Sequence, residues 1–249
     1  MNILISNDDG IYAEGIKILK NFLEKAGHKI YVTAPLDEQS GAGHGITLHS
    51  PLRIKEIERD GKFFGYGING KPADCVKIGL LKLFKDKSID LVISGINKGT
   101  NLGTDIFYSG TFGAAAEGSL LGVKSIALSL CDILDNNHFE TAANFIVKYC
   151  DKIKNIKFPK DTLLNINVPN IVNEDIKGYV YTKQGDRRYL DNIIERIDTQ
   201  GNKYYWLGGK ASEKGEDLEI DFVAVKQGFI SITPIKLDMY SDELKKILD

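Results

Sequence analysis

Residues 2–35 constrain the fold more than any other stretch. Asn2 to Ser6 is a short apolar run ended by a polar turn, the pattern of a buried strand. Tyr12, Ile16, Leu19 and Leu23 then recur at helical spacing, and Gly27 closes that helix. Lys29 to Ala34 is a second apolar run, stopped by Pro35. Strand, helix and strand in about 33 residues make a right-handed βαβ unit, with both strands parallel in one sheet. The chain has 249 residues, enough for one large domain or two small ones and for a full core without disulfides.

The alternation continues. Residues 52 to 58 and 62 to 68 flank Asp60-Gly61, a hairpin signal. Pro72 opens a helix carrying Cys75, Val76, Gly79, Leu80 and Leu83. Asp90 to Ser94 reads as a buried strand, followed by a glycine-rich loop of about 15 residues and a small-residue helix, Thr111 to Leu121. Lys124 to Leu128 is a strand, 138 to 151 a helix, and Leu163 to Val168 a strand before Pro169. Past residue 170 the pattern changes. Val180 to Thr182, Tyr189 to Arg196 and Lys203 to Leu207 read as hairpin strands, with Thr199 to Asn202 as a turn. Phe229 to Thr233 returns to the main sheet, and Ser241 to Leu248 is a serine-capped terminal helix. The expectation is an α/β core with a mostly parallel sheet over residues 1–177 and a hairpin-rich extension over 178–249.

Composition narrows the function. Lys and Arg number 32 against 34 Asp and Glu, and no basic run exceeds two residues, which argues against a nucleic-acid polymer as partner. A small phosphorylated ligand stays open. Cys75, Cys131 and Cys150 are widely spaced and odd in number, so they read as buried thiols of a reducing compartment, not a disulfide framework or a CxxC zinc site. The N-terminal apolar stretch, Ile3 to Ile5, gives way to Asp8 and Asp9, unlike a signal peptide. No apolar run approaches the roughly 20 residues of a membrane span. The expected location is cytoplasmic, with no membrane partner.

In open parallel sheets, ligands bind at the carboxyl ends of the strands. After the first strand come Asn7, Asp8, Asp9 and Gly10; after the second, Asp37, Gln39, Ser40 and Gly41. After the strand at 90–94 come Asn97, Lys98, Asn101, Asp105, Ser109 and Thr111. This oxygen-rich set, with hardly any imidazole or thiol, suits Mg²⁺, Mn²⁺ or Ca²⁺ rather than zinc. Adjacent ionised Asp8 and Asp9 repel unless a cation relieves them. The same Asp-Asp-Gly also serves as a plain turn and helix cap. Ser109, Gly110 and Thr111 lead into a helix whose free N–H groups form a ready phosphate site, although capping alone accounts for two of them. A metal beside anion-binding donors points to phosphate-ester hydrolysis, with Asp8 or Asp9 as base or nucleophile. The familiar alternatives are absent: no GxxxxGK[ST], no GxGxxG, no Asp-x-Asp after the first strand and no GxSxG. His28, His44, His49 and His138 form no metal-spaced pair, and only His44 lies in a candidate loop.

At these residues the chain resembles the SurE (survival protein E) family of metal-dependent 5′-nucleotidases. The matching segments are ILISNDDG at 3–10, APLDEQSGAG at 34–43, SGINKGTNLGTD at 94–105, YSGTFGAAAEG at 108–118, LLNINVP at 163–169 and ISITPI at 230–235. The resemblance implies a Rossmann-like three-layer core with a C-terminal extension exchanged between subunits of a homodimer or homotetramer. It implies one divalent cation per subunit, Mn²⁺ or Mg²⁺, held by Asp8, Asp9, Ser40 and Asn97. It also implies hydrolysis of nucleoside 5′- and 3′-monophosphates, and in some members of short polyphosphate. Asn101, Ser109, Gly110 and Thr111 are the candidate phosphate contacts, with Tyr204, Tyr205 and Trp206 as candidates for burial against a partner subunit or an intrachain core. One departure is Lys71, where family members usually carry threonine. Two rivals stay open: a nucleotide-sugar glycosyltransferase, which needs a second Rossmann domain, and a non-catalytic metal- and nucleotide-binding sensor.

Overall fold

The computed structural model describes residues 1–132 and 136–248. Its first elements are β1 (Asn2–Ser6), α1 (Glu14–Lys25) and β2 (Lys29–Pro35), the expected βαβ unit, with β1 and β2 parallel. Tyr12 lies ahead of α1 and is exposed, so the helix buries Ile16, Leu19 and Leu23 without it. The hairpin β3 (Ile54–Arg59) and β4 (Lys62–Ile68) turns through Asp60 and Gly61, both at positive φ (54° and 71°), as an Asp-Gly two-residue turn requires. Next come α2 (Pro72–Ile78), β5 (Leu91–Lys98), α3 (Gly110–Leu120), β6 (Ser125–Leu130), α4 (Phe139–Ile153) and β7 (Thr162–Val168). The C-terminal third holds β8 (Tyr179–Tyr181), β9 (Asp186–Ile197), β10 (Lys203–Lys214), α5 (Asp221–Lys226), β11 (Ile230–Lys236) and α6 (Asp242–Leu248).

Nine strands form one sheet in the order β3-β4-β2-β1-β5-β6-β7-β11-β8. Strands β4, β2, β1, β5, β6 and β7 are mutually parallel, and β11 runs antiparallel to β7. The chain winds outward from β1 in one direction and from β5 in the other, so the switch point falls between these two neighbours. Helices α1 and α4 pack together on one face, α2 and α3 on the other. The period-2 alternation decides which side chain meets which layer. Ile3 and Ile5 join the cluster under α1 and α4, while Leu4 joins Val76, Val92 and Ala114 on the opposite face. Every residue from Gly110 to Ser119 of α3 is buried, and its run of glycine and alanine lets the helix lie close to the sheet.

Three elements differ from the sequence reading. The strand expected to stop at Ser94 resumes after an irregularity and pairs Asn97 and Lys98 with Ser129 and Leu130 of β6. The irregularity contains the cis Gly95–Ile96 peptide. A Cβ on Gly95 would lie 2.3 Å from the Leu128 carbonyl oxygen, so only glycine fits. The rest of the expected loop holds a 3₁₀ turn, Gly103–Phe107. Helix α5 has no counterpart in the sequence reading; its apolar run is too short to show helical periodicity. β9 and β10 are each 12 residues long, longer than expected, and among the described residues they pair only with each other. They form an arm extending about 40 Å at strand rise. On it Tyr204, Tyr205 and Trp206 are 41%, 56% and 60% exposed, so they do not build an intrachain core.

Candidate active site at the switch point

The loop after β1 delivers Asp8 and Asp9 to the carboxyl edge of the sheet. The loop after β2 is tied to it, since Gln39 N–H donates to the Asp8 carbonyl at 2.8 Å and Ile11 N–H to the Pro35 carbonyl at 2.8 Å. Ser40 follows on that second loop and donates to Glu38 Oε1 at 2.7 Å. The end of β5 closes the third side: Lys98 N–H donates to Asp9 Oδ2 at 3.2 Å. Next to it, Asn97 Nδ2 donates to the Gly99 carbonyl at 2.9 Å, which leaves the amide oxygen available as a ligand. Asp8, Asp9, Ser40 and Asn97 thus stand on two loops and the end of β5, with the β1 loop bonded to both of the others at one edge.

Asp8 is 4% exposed and sits at the start of α3. Its carboxylate accepts the Thr111 hydroxyl and faces the backbone N–H groups of Gly110 and Thr111. Gly110 is required there, because a Cβ would lie 2.8 Å from Asp8 Cβ and 3.0 Å from its Oδ2. Burial raises the Asp8 pKa, and the Thr111 and Gly110 donors offset part of that rise. Asp9 is pushed up to about 7, first by burial and then by the neighbouring Asp8 charge, with the Lys98 N–H acting the other way. Among the described residues no lysine, arginine or histidine pairs with either carboxylate. The Lys98 charge offsets only a small part of the Asp9 rise, and two poorly solvated carboxylates beside a hydroxyl and an amide oxygen fit a hard divalent cation. Among the described residues no three His, Cys, Asp or Glu side chains gather to hold a metal, so such a site needs its neutral oxygen donors.

Ser109 is the N-cap of α3, its Oγ accepting from Phe112 N–H at 3.0 Å. Thr111 is fully buried, with its hydroxyl engaged by Asp8. Asn101 is brought close in sequence but occupied differently. Its Nδ2 donates to Ser129 Oγ at 2.8 Å, and its carbonyl accepts from Asn165 and Asn167 at 2.8 and 3.0 Å. His44 Nε2 lies 2.9 Å from Glu117 Oε2, and Lys77 pairs with the other oxygen of this buried carboxylate. Glu117 escaped sequence reasoning, because one acid in a small-residue helix carries no pattern. Lys71 is half-buried against the Ser40 loop rather than free in solvent: a Cβ on Gly45 would come within 2.7 Å of its Nζ. The three cysteines are buried and free.

Comparison with known proteins bears on this geometry. The family profile described as "Survival protein SurE" matches residues 3–191. A protein from Petrotoga mobilis named 5′-nucleotidase SurE is 46% identical over 253 residues, spanning 100% of both chains. One of the same name from Fervidobacterium nodosum is 47% identical over 251 residues, spanning 100% of this chain and 96% of its own. The crystal structure of the SurE protein from Aquifex aeolicus superposes with a TM-score of 0.86 at 38% identity, covering 100% of this chain and 98% of that one. With the switch-point loops, the doubly wound sheet and the projecting arm in place, these matches make the chain a member of the SurE survival-protein family.

Proposed function

We propose that the chain is a 5′-nucleotidase, a phosphomonoesterase that hydrolyses nucleoside 5′-monophosphates to nucleoside and phosphate. Nucleoside 3′-monophosphates and short polyphosphate are further substrates of the same proposal. The observation that carries the reading is the meeting of a buried carboxylate, Asp8, with the N-terminus of α3. It sets anion-binding donors beside a cation-seeking acid pair, and the relatives bear the name 5′-nucleotidase. One Mg²⁺ or Mn²⁺ per subunit suits Asp8, Asp9, Ser40 and Asn97; when bound it polarises a phosphoryl oxygen and makes its water more acidic. The chain's residues do the rest. Ser109, whose Oγ accepts from Phe112 N–H and keeps its own proton to donate, orients a phosphoryl oxygen, and Gly110 and Thr111 join it where they exchange their bonds to Asp8. Asn101 joins them only if it exchanges its bond to Ser129. Asp8 or Asp9, as carboxylate, takes the proton of the attacking water or attacks phosphorus itself. On the second route the P–O bond to the nucleoside breaks, the leaving oxygen takes a proton from water, and a second water cleaves the acyl phosphate.

The arm supports self-association. A lone two-stranded hairpin is marginal in water, yet this one exposes Ile193, Ile197, Trp206 and Leu207. Exchange of the 178–249 extension between subunits of a homodimer or homotetramer would cover them, with 1–177 as the catalytic core. Among the described residues no helix is long and apolar enough to cross a membrane. Three free thiols favour a reducing, cytoplasmic setting.

The test is phosphate release from AMP, GMP and p-nitrophenyl phosphate, with EDTA, Mg²⁺ or Mn²⁺. Release that needs metal and falls about 100-fold or more in Asp8→Asn and Asp9→Asn is expected. No release from a folded sample that still binds nucleotide would make it a sensor. The glycosyltransferase alternative needs a second doubly wound sheet, and the described residues form only the nine-stranded sheet and the arm.

A further inference from the structure

The segment that leads into Ser109 is bolted to the root of the arm. Asp105 organises this segment with both of its oxygen groups. Its carbonyl accepts from Tyr108 and Ser109 N–H at 3.0 and 3.1 Å, and its Oδ2 accepts from Leu102 N–H at 3.3 Å. The same Oδ2 accepts from Arg187 Nη1, at the start of β9. The Arg187 Nε donates to Glu213 Oε1 at 3.0 Å on the facing strand β10, and Lys226 of α5 holds the other Glu213 oxygen. Thr104 Oγ1 donates to the Arg187 carbonyl at 2.6 Å, and Gln184 Nε2 to the Gly103 carbonyl at 2.8 Å. Asp221, 1% exposed, bridges the two sides by accepting from Gly103 N–H at 2.8 Å and Gly185 N–H at 3.1 Å. The side chains of Arg187 and Asp105 are only 11% and 9% exposed.

A buried ion pair contributes little net stability over an apolar substitute, but its geometry is specific. This one spans 82 residues of sequence and ends four residues from the cap of α3. We infer that Arg187 is a positioning residue: through Asp105 it fixes the 103–109 segment, and with it Ser109, Gly110 and Thr111, against the arm. The inference rests on the phosphate role proposed for those three residues. It makes the arm's root part of the catalytic geometry, so the extension both projects outward and sets the phosphate turn. Beside this contact lies a cleft of about 670 Å³ between Thr104, Phe107 and Tyr108 on the core and Arg188, Leu207 and Gly209 on the arm.

The experiment compares the full-length parent with Arg187→Gln, Arg187→Lys, Asp105→Asn and, near the arm's tip, Lys203→Gln. Thermal unfolding, Mn²⁺ affinity, inorganic phosphate affinity and phosphate release from AMP are read for each. Arg187→Gln and Asp105→Asn should lower kcat about 10- to 100-fold, the scale of an ångström-size misplacement. Phosphate affinity should fall with it, Mn²⁺ affinity should hold within about twofold, and Arg187→Lys should recover part of the loss, since charge but not the planar fork is kept. Lys203→Gln should match the parent. Where Arg187→Gln does not fold, Arg187→Lys and Asp105→Asn carry the comparison. Folded variants with parental kcat and phosphate affinity overturn the inference, as does an equal loss in Lys203→Gln. If the parent itself releases no phosphate, the nucleotidase reading falls separately. The clamp then stands or falls on whether Arg187→Gln weakens inorganic phosphate binding.

Discussion

Asp9 titrates far above an ordinary carboxylate. In the metal-free protein its folded pKa is about 7, against an ordinary value of 3.8, because burial and the Asp8 charge favour the protonated form. Between these values the folded chain binds more protons at this site than the unfolded chain does. The destabilisation is therefore absent below about pH 4, grows as pH rises toward 7, and is complete above it. Denaturant titrations in EDTA should show stability from this site falling across that window, and Asp9→Asn should flatten the slope. Mn²⁺ should bind more tightly as pH rises through the same range, since it displaces the proton. The grouping of Asp8, Asp9 and Ser40 at one sheet edge was legible from loops that follow strands, whereas Asn97 was expected after a strand and lies within β5. The pKa of Asp9 was not legible, because it depends on burial and on the Lys98 N–H, which only the folded β5 supplies. Nor could Asn101's commitment to Ser129 be read, since its partner lies 28 positions away on another strand.

Elements α3 and the Ser40 loop make contact through glycine. A Cβ at Gly113 would lie 2.5 Å from the Gly43 carbonyl oxygen and 2.8 Å from His44 Cα. Alanine gains about 1 kcal/mol in helix propensity over glycine. Backbone crowding costs about 1–3 kcal/mol, so it outweighs that gain. Gly113→Ala should lower stability by about 1 kcal/mol, read in chemical unfolding, and reduce phosphate release by pushing the loop that bears Ser40 away from α3. Strands β1, β2, β6 and β7 and helices α1, α3 and α4 fall close to where apolar runs and caps put them. The continuation of β5 beyond Gly95 was hidden, because its polar, glycine-rich residues read as a loop until β6 provides a partner. For α5 the buried Asp221, bonded to Gly103 and Gly185 N–H, matters more than propensity in six residues.

For the whole molecule, the prediction concerns assembly. Sedimentation of the parent should show a dimer or tetramer, and Ile193→Glu combined with Trp206→Glu should shift it to monomer, because charges on an apolar contact are costly to bury. Both residues are exposed in the single chain, at 64% and 60%. The terminal helix α6 leaves Leu244, Ile247 and Leu248 exposed as well, a second apolar surface available to a partner copy.

Local chemistry alone decided the order of strands and helices, the parallel core, the Asp-Gly turn and the acid, hydroxyl and amide character of the loops at one sheet edge. Each depends on spacing, turn residues or side-chain type within a few positions, and these act without regard to the rest of the chain. Contacts between distant segments decided the rest. Asp8 lies 103 residues from Thr111, Asp105 82 from Arg187, and Asp221 118 from Gly103. No local pattern encodes such pairings. They follow from how a doubly wound sheet brings loop ends to its switch point and returns β11 to the sheet beside β7, leaving the arm outside.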